Sequence, residues 1–156
     1  AKSLGATVTC VDKEEKFELL RSLNADHLID YRKTDYTKTG NQYDYILDVI
    51  AHKKTTDYKR ALKPGGVFAM IGGSMGGLLM QMMLFQPLLS KFRKKKLGIM
   101  GYKVSSEGLD ELSRLFENGK INPVIDKCFS LEETAGAFQY FGQGNFKGKV
   151  IISIAK

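Results

Sequence analysis

The 156-residue sequence predicts an α/β protein with a parallel sheet. Short apolar runs of strand length alternate with segments whose apolar residues recur at helical spacing. Groups of Gly and Pro, such as residues 63–66, separate these segments. The content of 43% hydrophobic and 26% charged residues is that of an ordinary globular chain that can bury one core. Strands that alternate with helices usually form an open parallel sheet with helices on both faces.

Apolar runs and helical periodicity place the individual elements along the chain. Strands are predicted at residues 6–11, 27–31, 43–50, 67–71, 97–104 and 148–154, with residues 121–129 extended. Helices are predicted at residues 13–23, 55–62 and 107–118, and from Ser130 to about Phe141. The side chains of helix 107–118 that are expected to face the core are Leu109, Leu112, Leu115 and Phe116. The last helix is expected to open with a capping box in which Ser130 is the N-cap and Glu133 reaches back.

Charge and cysteine content narrow the classes of function. The formal charge is +7, and much of the excess lies in residues 91–96. Such a run can attract nucleic acid or anionic lipid, but its simpler interpretation is a solvated helix end, and we predict no nucleic-acid partner. Cys10 and Cys128 lack the paired spacing of a zinc site, and residues 1–6 lack the apolar region of a signal peptide. We therefore expect a cytoplasmic protein without a metal site.

Residues 67–90 form a long stretch without a charged side chain. A stretch of that length can cross a membrane, but Gly72, Gly73 and Pro87 interrupt it. The favoured interpretation is a strand, a Gly-rich loop and an apolar helix. The alternative is a helix at residues 78–89 that lies in an anionic membrane surface beside the basic residues 91–96.

Asp12, at the end of the first predicted strand, is the clearest candidate for binding a cofactor. A carboxylate in this position can accept hydrogen bonds from the adenosine ribose of NAD. Lys13 and Lys16 stand close by in sequence and would attract the 2′-phosphate of NADP. A unit charge pair at ~4 Å is worth roughly 4 kcal/mol at an intermediate dielectric, so the opposed effects are comparable and both cofactors stay open. The alternative role for Asp12 is a helix N-cap paired with Glu15.

Other potential catalytic or binding groups are less informative. The Gly cluster at residues 72–77 follows the wrong strand for a pyrophosphate loop, so we interpret it as a turn that approaches a bound cofactor. His27 and His52 have no ligand-spaced partners. No nucleophile, base and acid can be assembled from the sequence, and no catalytic residue is predicted.

Several segments together resemble the medium-chain dehydrogenase/reductase superfamily, in its zinc-free, quinone-reductase-like branch. They occur in the family's order and spacing over nearly the whole chain. The matching segments are residues 4–9, 20–31, 43–48, 62–66, 119–126 and 148–152.

The resemblance implies a Rossmann-like parallel sheet that binds NAD(P)H and transfers hydride to a quinone, an enone or another carbonyl compound. It also implies a set of cofactor contacts. Lys16 and Tyr31 match residues near the phosphate, and Val49 and Ile50 match those that touch adenine and ribose. Gly72 and Gly73 match the turn near the nicotinamide, and Lys149 lies in the tail that returns to the cofactor.

The same resemblance implies that important parts lie outside these residues. Ala1 matches a position inside the helix after the Gly-rich loop, so the first Rossmann strand, that loop and the N-terminal domain are expected to be missing. Residues 1–119 would then be a partial NAD(P)-binding domain, and residues 120–156 a strand–helix–strand segment returning to the catalytic domain. We expect very weak cofactor binding and no turnover from such a fragment.

Two structural expectations follow from this interpretation. Either strand 6–11 pairs directly with strand 43–50 in place of the missing strand, or the chain is marginally stable.

Ala51 replaces a family Gly, and its Cβ is expected to crowd the ligand. Asn24 replaces another Gly.

One alternative function remains open at the level of sequence. The chain could be a catalytically inactive α/β interaction module that associates with a membrane surface through residues 78–96. Independently of this choice, strand 97–104 is expected at a sheet edge, where it could pair with a second copy to form a homodimer.

Overall fold

A computed structural model of the protein describes residues 1–71, 96–99 and 105–154. The strands are β1 (Thr9–Asp12), β2 (His27–Asp30), β3 (Tyr43–Asp48), β4 (Leu62–Met70), β5 (Lys96–Ile99), β6 (Ile125–Ser130) and β7 (Lys149–Ser153). The α-helices are α1 (Phe17–Ser22), α2 (Thr55–Ala61), α3 (Ser106–Glu117) and α4 (Thr134–Gly142). Short 3₁₀ helices occupy Lys2–Leu4, Glu14–Lys16 and Tyr36–Lys38. This alternation of strands and helices confirms the predicted α/β class.

The strands form separate sheets with the orders β1–β2, β3–β4–β5 and β6–β7. The pairs β3–β4, β4–β5 and β6–β7 are parallel. The β1 and β2 strands also start side by side, because the amides of Asp26 and His27 both donate to the carbonyl of Val8. Of the two alternatives predicted for the chain, direct pairing of strand 6–11 with strand 43–50 is not found, because β1 and β3 belong to separate sheets. A hydrogen-bonded partner cannot be read from strand sequence alone.

By contacts the chain divides into two units. The first unit consists of Ala1–Cys10, Glu14–Leu28 and Val104–Lys156, and the second of Val11–Lys13 and Ile29–Lys103. Across the described parts of both units, no helix is long and apolar enough to cross a bilayer. The predicted apolar helix at residues 78–89 lies outside the described residues.

The second unit has a continuous core built on β3, β4 and α2. Alternate residues of β4, Phe68 and Met70, are almost fully buried, as a strand covered on one face requires. The ring of Tyr58 on α2 packs against Phe68, with ring centroids 4.1 Å apart. Burying a side chain of this size contributes about 1.5–3 kcal/mol. The buried cluster consists of Tyr36, Ile46, Ala51, Tyr58, Ala61, Leu62, Phe68 and Met70.

The first unit buries much less. Among its described hydrophobic residues, only Phe129 and Ala137 are buried. Helix α3 has the predicted bounds to within one residue, but Leu109, Leu112 and Phe116 are each at least half exposed. The expectation that these side chains face a core is therefore wrong for this structure. An apolar stripe shows which face of a helix can be buried, and burial itself needs a second layer.

The region between α2 and the main part of β4 is a turn within the ladder. Tyr43 is paired with Leu62, but Tyr45 is paired with Val67, so residues 63–66 loop out between the two pairings. At Gly66 a Cβ would stand 3.0 Å from the carbonyl oxygens of Lys63 and Tyr43. Glycine is favoured there, because a Cβ would require these backbone oxygens to shift by a few tenths of an ångström.

The start of α4 differs from its prediction in one detail. The Glu133 carboxylate accepts a hydrogen bond from the amide of Ser130 at 2.9 Å, as a capping box requires. The α-helix itself begins only at Thr134, with Glu133 as its N-cap, so the prediction of Ser130 as the N-cap is wrong. A preceding turn, closed by the bond from the Glu133 amide to the Ser130 carbonyl, takes up the intervening residues.

Candidate functional site

The carboxyl ends of β3 and β4 lie side by side and expose apolar residues. Asp48 is paired with Met70, and the amide of Ile71 donates to the carbonyl of Asp48 at 2.9 Å. Val49 and Ile50, which follow β3 directly, are 59% and 72% exposed, and Ile71 is 54% exposed. In open parallel sheets, ligands bind beyond the carboxyl ends of the strands. These exposed side chains therefore mark the edge of the sheet at which a ligand is expected.

The loop after β3 is organised by one carboxylate and one hydroxyl group. Oδ1 of Asp48 accepts from the amide of Ile50 at 3.0 Å, and Oδ2 accepts from the hydroxyl of Tyr58 at 2.8 Å. The Tyr58 hydroxyl in turn accepts from the amide of Lys53 at 3.2 Å. Burial, and then the bond to Asp48, raise the pKa of Tyr58 well above its ordinary value, so the phenol remains a donor. Both ends of the loop 49–53 are thus fixed.

Ala51 forms the inward anchor of the same loop. It has no exposed surface and belongs to the core cluster together with Tyr58. The expectation that its Cβ crowds a ligand is wrong here, because the residue is buried in the core and cannot meet a ligand at the surface.

The side chain of Lys53 ties this loop to the 3₁₀ helix Tyr36–Lys38. Its ammonium lies 2.9 Å from Oδ1 of Asp35 and 5.8 Å from the ring centroid of Tyr36. The Asp35 carboxylate also accepts from the amide and the hydroxyl of Thr37. Partial burial raises the pKa of Asp35, but the bonds from Thr37 and Lys53 outweigh it and lower the pKa to about 2.

Asp12 is the last residue of β1, Lys13 follows it, and Tyr31 follows β2. Oδ1 of Asp12 accepts from the amide of Lys13 at 2.8 Å. Helix α1 begins at Phe17, and the 3₁₀ helix Glu14–Lys16 leads directly into it, so the helical segment starts two residues after Asp12. Tyr31 comes directly after β2 and is 49% exposed. The structure thus puts Asp12 and Tyr31 at strand ends of the kind at which cofactors bind.

Lys16 and Lys149 belong to the first unit. The Lys16 ammonium stands 5.0 Å from the ring centroid of Phe146, which stacks on Phe141. Lys149 is exposed at the start of β7, and its amide donates to the carbonyl of Val124. The preceding residue, Gly148, has a φ of +124°, and a Cβ there would overlap the Val124 carbonyl.

Gly72 and Gly73 lie outside the described residues, as does the basic run except Lys96. Strand β5, which begins at Lys96, is the last strand in the order β3–β4–β5. Within residues 1–71, 96–99 and 105–154, no three metal-ligating side chains come together.

Sequence reasoning did not identify Tyr58 or Asp48 as partners. A signal was present, because Tyr58 lies within the predicted helix 55–62. A buried tyrosine needs a hydrogen-bond partner for its hydroxyl, and Asp48 ends the strand that precedes this helix. The pairing itself depends on the packing of α2 against β4, which local sequence does not define.

The described residues provide groups for ligand binding at the carboxyl ends of strands. A carboxylate ends one strand, and a rigid loop with exposed aliphatic side chains follows another. Each of these groups taken separately is suited to one part of a nucleoside, because ribose hydroxyls donate to carboxylates and a base packs on apolar surface. In a Rossmann sheet, strands 2 and 3 pair on one side of strand 1, and strands 4 to 6 on the other. The orders β1–β2 and β3–β4–β5 correspond to those two groups, so the fold is that of a dinucleotide-binding domain.

Comparison with known proteins agrees with this class. The family model described as zinc-binding dehydrogenase matches residues 23–152. The mitochondrial NAD(P)H oxidoreductase RTN4IP1 of Danio rerio is 30% identical over 98% of this chain and 44% of its own length. The 2-methylene-furan-3-one reductase of Solanum lycopersicum is 29% identical over 93% of this chain and 33% of its own. The chain thus spans less than half of the length of these relatives.

A solved structure shows the same fold. The quinone oxidoreductase from Coxiella burnetii superposes with a TM-score of 0.79 at 20% identity, covering 99% of this chain and 47% of that one. The chain belongs to the zinc-binding dehydrogenase family, within the medium-chain dehydrogenase/reductase superfamily. The resemblance to this superfamily that the sequence predicted is thereby confirmed.

Proposed function

We propose that these residues form the cofactor-binding part of a zinc-independent oxidoreductase that transfers hydride from NAD(P)H to a quinone, an enone or another carbonyl compound. The observation that carries the proposal is the rigid loop after β3, which presents exposed Val49 and Ile50 at the carboxyl edge of a parallel sheet. An apolar side chain held in solvent by a fixed backbone is suited to a ligand such as adenine. The names of the relatives support a nicotinamide cofactor and a carbonyl substrate.

The proposed contacts assign a part of the cofactor to each site residue. Asp12 would accept from the adenosine ribose, while Lys13, Lys16 and Tyr31 would lie near phosphate, and Val49 and Ile50 near adenine. Gly72 and Gly73 would approach the nicotinamide, and Lys149 would belong to the returning tail. The bound cofactor would supply the hydride, and the residues of this chain would bind and orient it. Asp12 favours NAD and the two lysines favour NADP, so the choice between them is part of the test.

We also propose that two parts of the chain have different roles. Residues 1–119 would serve the cofactor, and residues 120–156 would lead towards the substrate-binding part of the protein. The resemblance places the Gly-rich loop that binds pyrophosphate outside these 156 residues, so alone they would bind NAD(P)H weakly and without turnover. A cytoplasmic location remains a prediction.

Titration of the ¹⁵N-labelled chain with NADPH, and separately with NADH, tests the cofactor site. We expect millimolar affinity, with the largest amide shifts at Asp12, Tyr31, Val49 and Ile50. The variant Ile50→Asp should weaken binding about tenfold, because it sets a carboxylate in an apolar contact. Leu4→Asp is the matched control, since Leu4 is also an exposed aliphatic residue, at 88%. Micromolar affinity would refute the weak-binding proposal, and shifts confined to other residues would refute the site.

Independence from zinc has its own measurement. Metal analysis of the protein purified without chelator should find less than one zinc per chain, and dialysis against a chelator should leave cofactor affinity unchanged. Stoichiometric zinc whose removal lowers that affinity would contradict this part of the proposal.

A further inference from the structure

We propose that Tyr58 is a positioning residue for the cofactor: its hydroxyl and the Asp48 carboxylate hold residues 49–53 in the conformation that presents Val49 and Ile50. This inference rests on the proposed function, because it takes these two side chains to be cofactor contacts.

Three hydrogen bonds define the arrangement. Asp48 accepts from the Ile50 amide through one oxygen and from the Tyr58 hydroxyl through the other, and Tyr58 accepts from the Lys53 amide. The bonds therefore run from the end of β3 to α2 and back to the last residue of the loop. Losing the Tyr58 hydroxyl removes two of the three and leaves an Asp48 oxygen without this donor.

The position of the Tyr58 hydroxyl is set by the core. Its side chain has no exposed surface, and its ring packs on Phe68. A buried ring of this kind has few accessible rotamers, so its hydroxyl is a fixed point in the molecule. The pKa of Tyr58 is raised by burial, which keeps the proton available for Asp48 at physiological pH.

Neighbouring contacts of the loop act in the same direction. Ala51 is anchored in the core, and the side chain of Lys53 is paired with Asp35. His52 contributes a contact between Nδ1 and the carbonyl of Ile50 at 3.0 Å. With these points fixed, the backbone at Val49 and Ile50 has little freedom. A site held in its binding conformation before the ligand arrives avoids the entropic cost of ordering the loop on binding.

The test compares Tyr58→Phe with Tyr43→Phe. Both changes remove one phenolic oxygen and keep the ring, but Tyr43 lies at the opposite end of β3. In Tyr58→Phe we expect amide hydrogen exchange at Ile50 and Lys53 to accelerate about tenfold, and the Kd for NADPH to rise about fivefold to tenfold. Tyr43→Phe should leave both quantities unchanged.

A double-mutant cycle with Asp48→Asn tests whether Tyr58 and Asp48 act together on cofactor affinity. If the two groups act as one unit, the combined variant should raise Kd by little more than either single variant. Unchanged exchange and unchanged Kd in Tyr58→Phe would overturn the proposal, as would additive effects in the cycle. If Tyr58→Phe does not fold, Asp48→Asn is expected to give the same faster exchange at Ile50, and an unchanged rate there would overturn the proposal.

Failure of the proposed function can be distinguished from failure of the positioning role of Tyr58. If NADPH shifts no amide at residues 49–53 of the unmodified chain, the assignment of Val49 and Ile50 as cofactor contacts is wrong. Faster exchange in Tyr58→Phe would still show that Tyr58 orders the loop, but the positioning role towards cofactor would be refuted.

Discussion

The two units of this protein differ in how they use similar apolar residues. In the second unit, β3, β4 and α2 enclose a cluster in which Tyr58, Leu62 and Phe68 have no exposed surface. In the first unit, α3 carries a strongly amphipathic sequence, yet Leu112 and Phe116 stay at least half exposed.

The difference shows that the apolar pattern of a helix and the burial of its side chains are separate properties. The sequence of a helix determines which face is apolar, but the free energy of burial is gained only when another layer covers that face. The second unit has its layers within its own residues. Among the described residues of the first unit, no comparable layer covers α3.

The largest effect is expected in the second core. Phe68→Ala removes the ring that packs against Tyr58 and should destabilise the second unit by about 3–5 kcal/mol. Urea unfolding followed through the amide signals of β3 and β4 measures this. Phe138→Ala, at a ring that is 70% exposed on α4, should change stability by less than about 0.5 kcal/mol. Equal effects of the two variants would contradict the contrast between the units.

Within the first unit, the junction between Val124 and Gly148 should be the most sensitive point. Gly148→Ala adds a Cβ that overlaps the Val124 carbonyl at a φ of +124°, so we expect a loss of roughly 1–3 kcal/mol. Gly136→Ala, in α4 with open space around it, should instead stabilise by about 0.5–1 kcal/mol. If the Gly148 variant melts like the unmodified protein, the close approach does not exist in solution.

The ion pair of Asp35 predicts a pH dependence in the second unit. The folded pKa of about 2 lies below the ordinary value, so the carboxylate stabilises the folded state above pH 4. This stabilisation should be lost as pH falls from about 4 to 2. Asp35→Asn should cost about 1 kcal/mol at pH 7, and its difference from the unmodified protein should shrink as pH falls through about 2. A difference that stays constant with pH would contradict the role of the charge.

The smallest effect is expected on the exposed face of α3. Leu112→Glu should change the free energy of unfolding by less than about 0.5 kcal/mol, because the side chain is already half exposed. A loss above about 2 kcal/mol would mean that Leu112 is covered in solution.

Local features were predictable from sequence, and long-range partners were not. Helix 55–62 was placed within one residue of Thr55–Ala61, because its apolar spacing and the following Pro and Gly residues are local signals. The partner of β1 and the exposure of α3 depend on residues distant in sequence.

The candidate site divides in the same way. Asp12 could be named as a candidate from sequence because an acid at a strand end has a recognised chemical use, and its role stays a prediction. The bond between Asp48 and Tyr58 was missed, because it forms only when α2 packs against β4.

The proposed function requires that the carboxyl edge of β3 and β4 contact the adenine half of a dinucleotide. Intermolecular nuclear Overhauser effects between the adenine protons of NADPH and side-chain methyl groups report this contact. We predict effects to the methyl groups of Val49 and Ile50, and none to those of Leu109 or Leu112 on α3. The proposed site is wrong if, with NADPH bound, adenine gives effects to α3 and none to Val49 or Ile50.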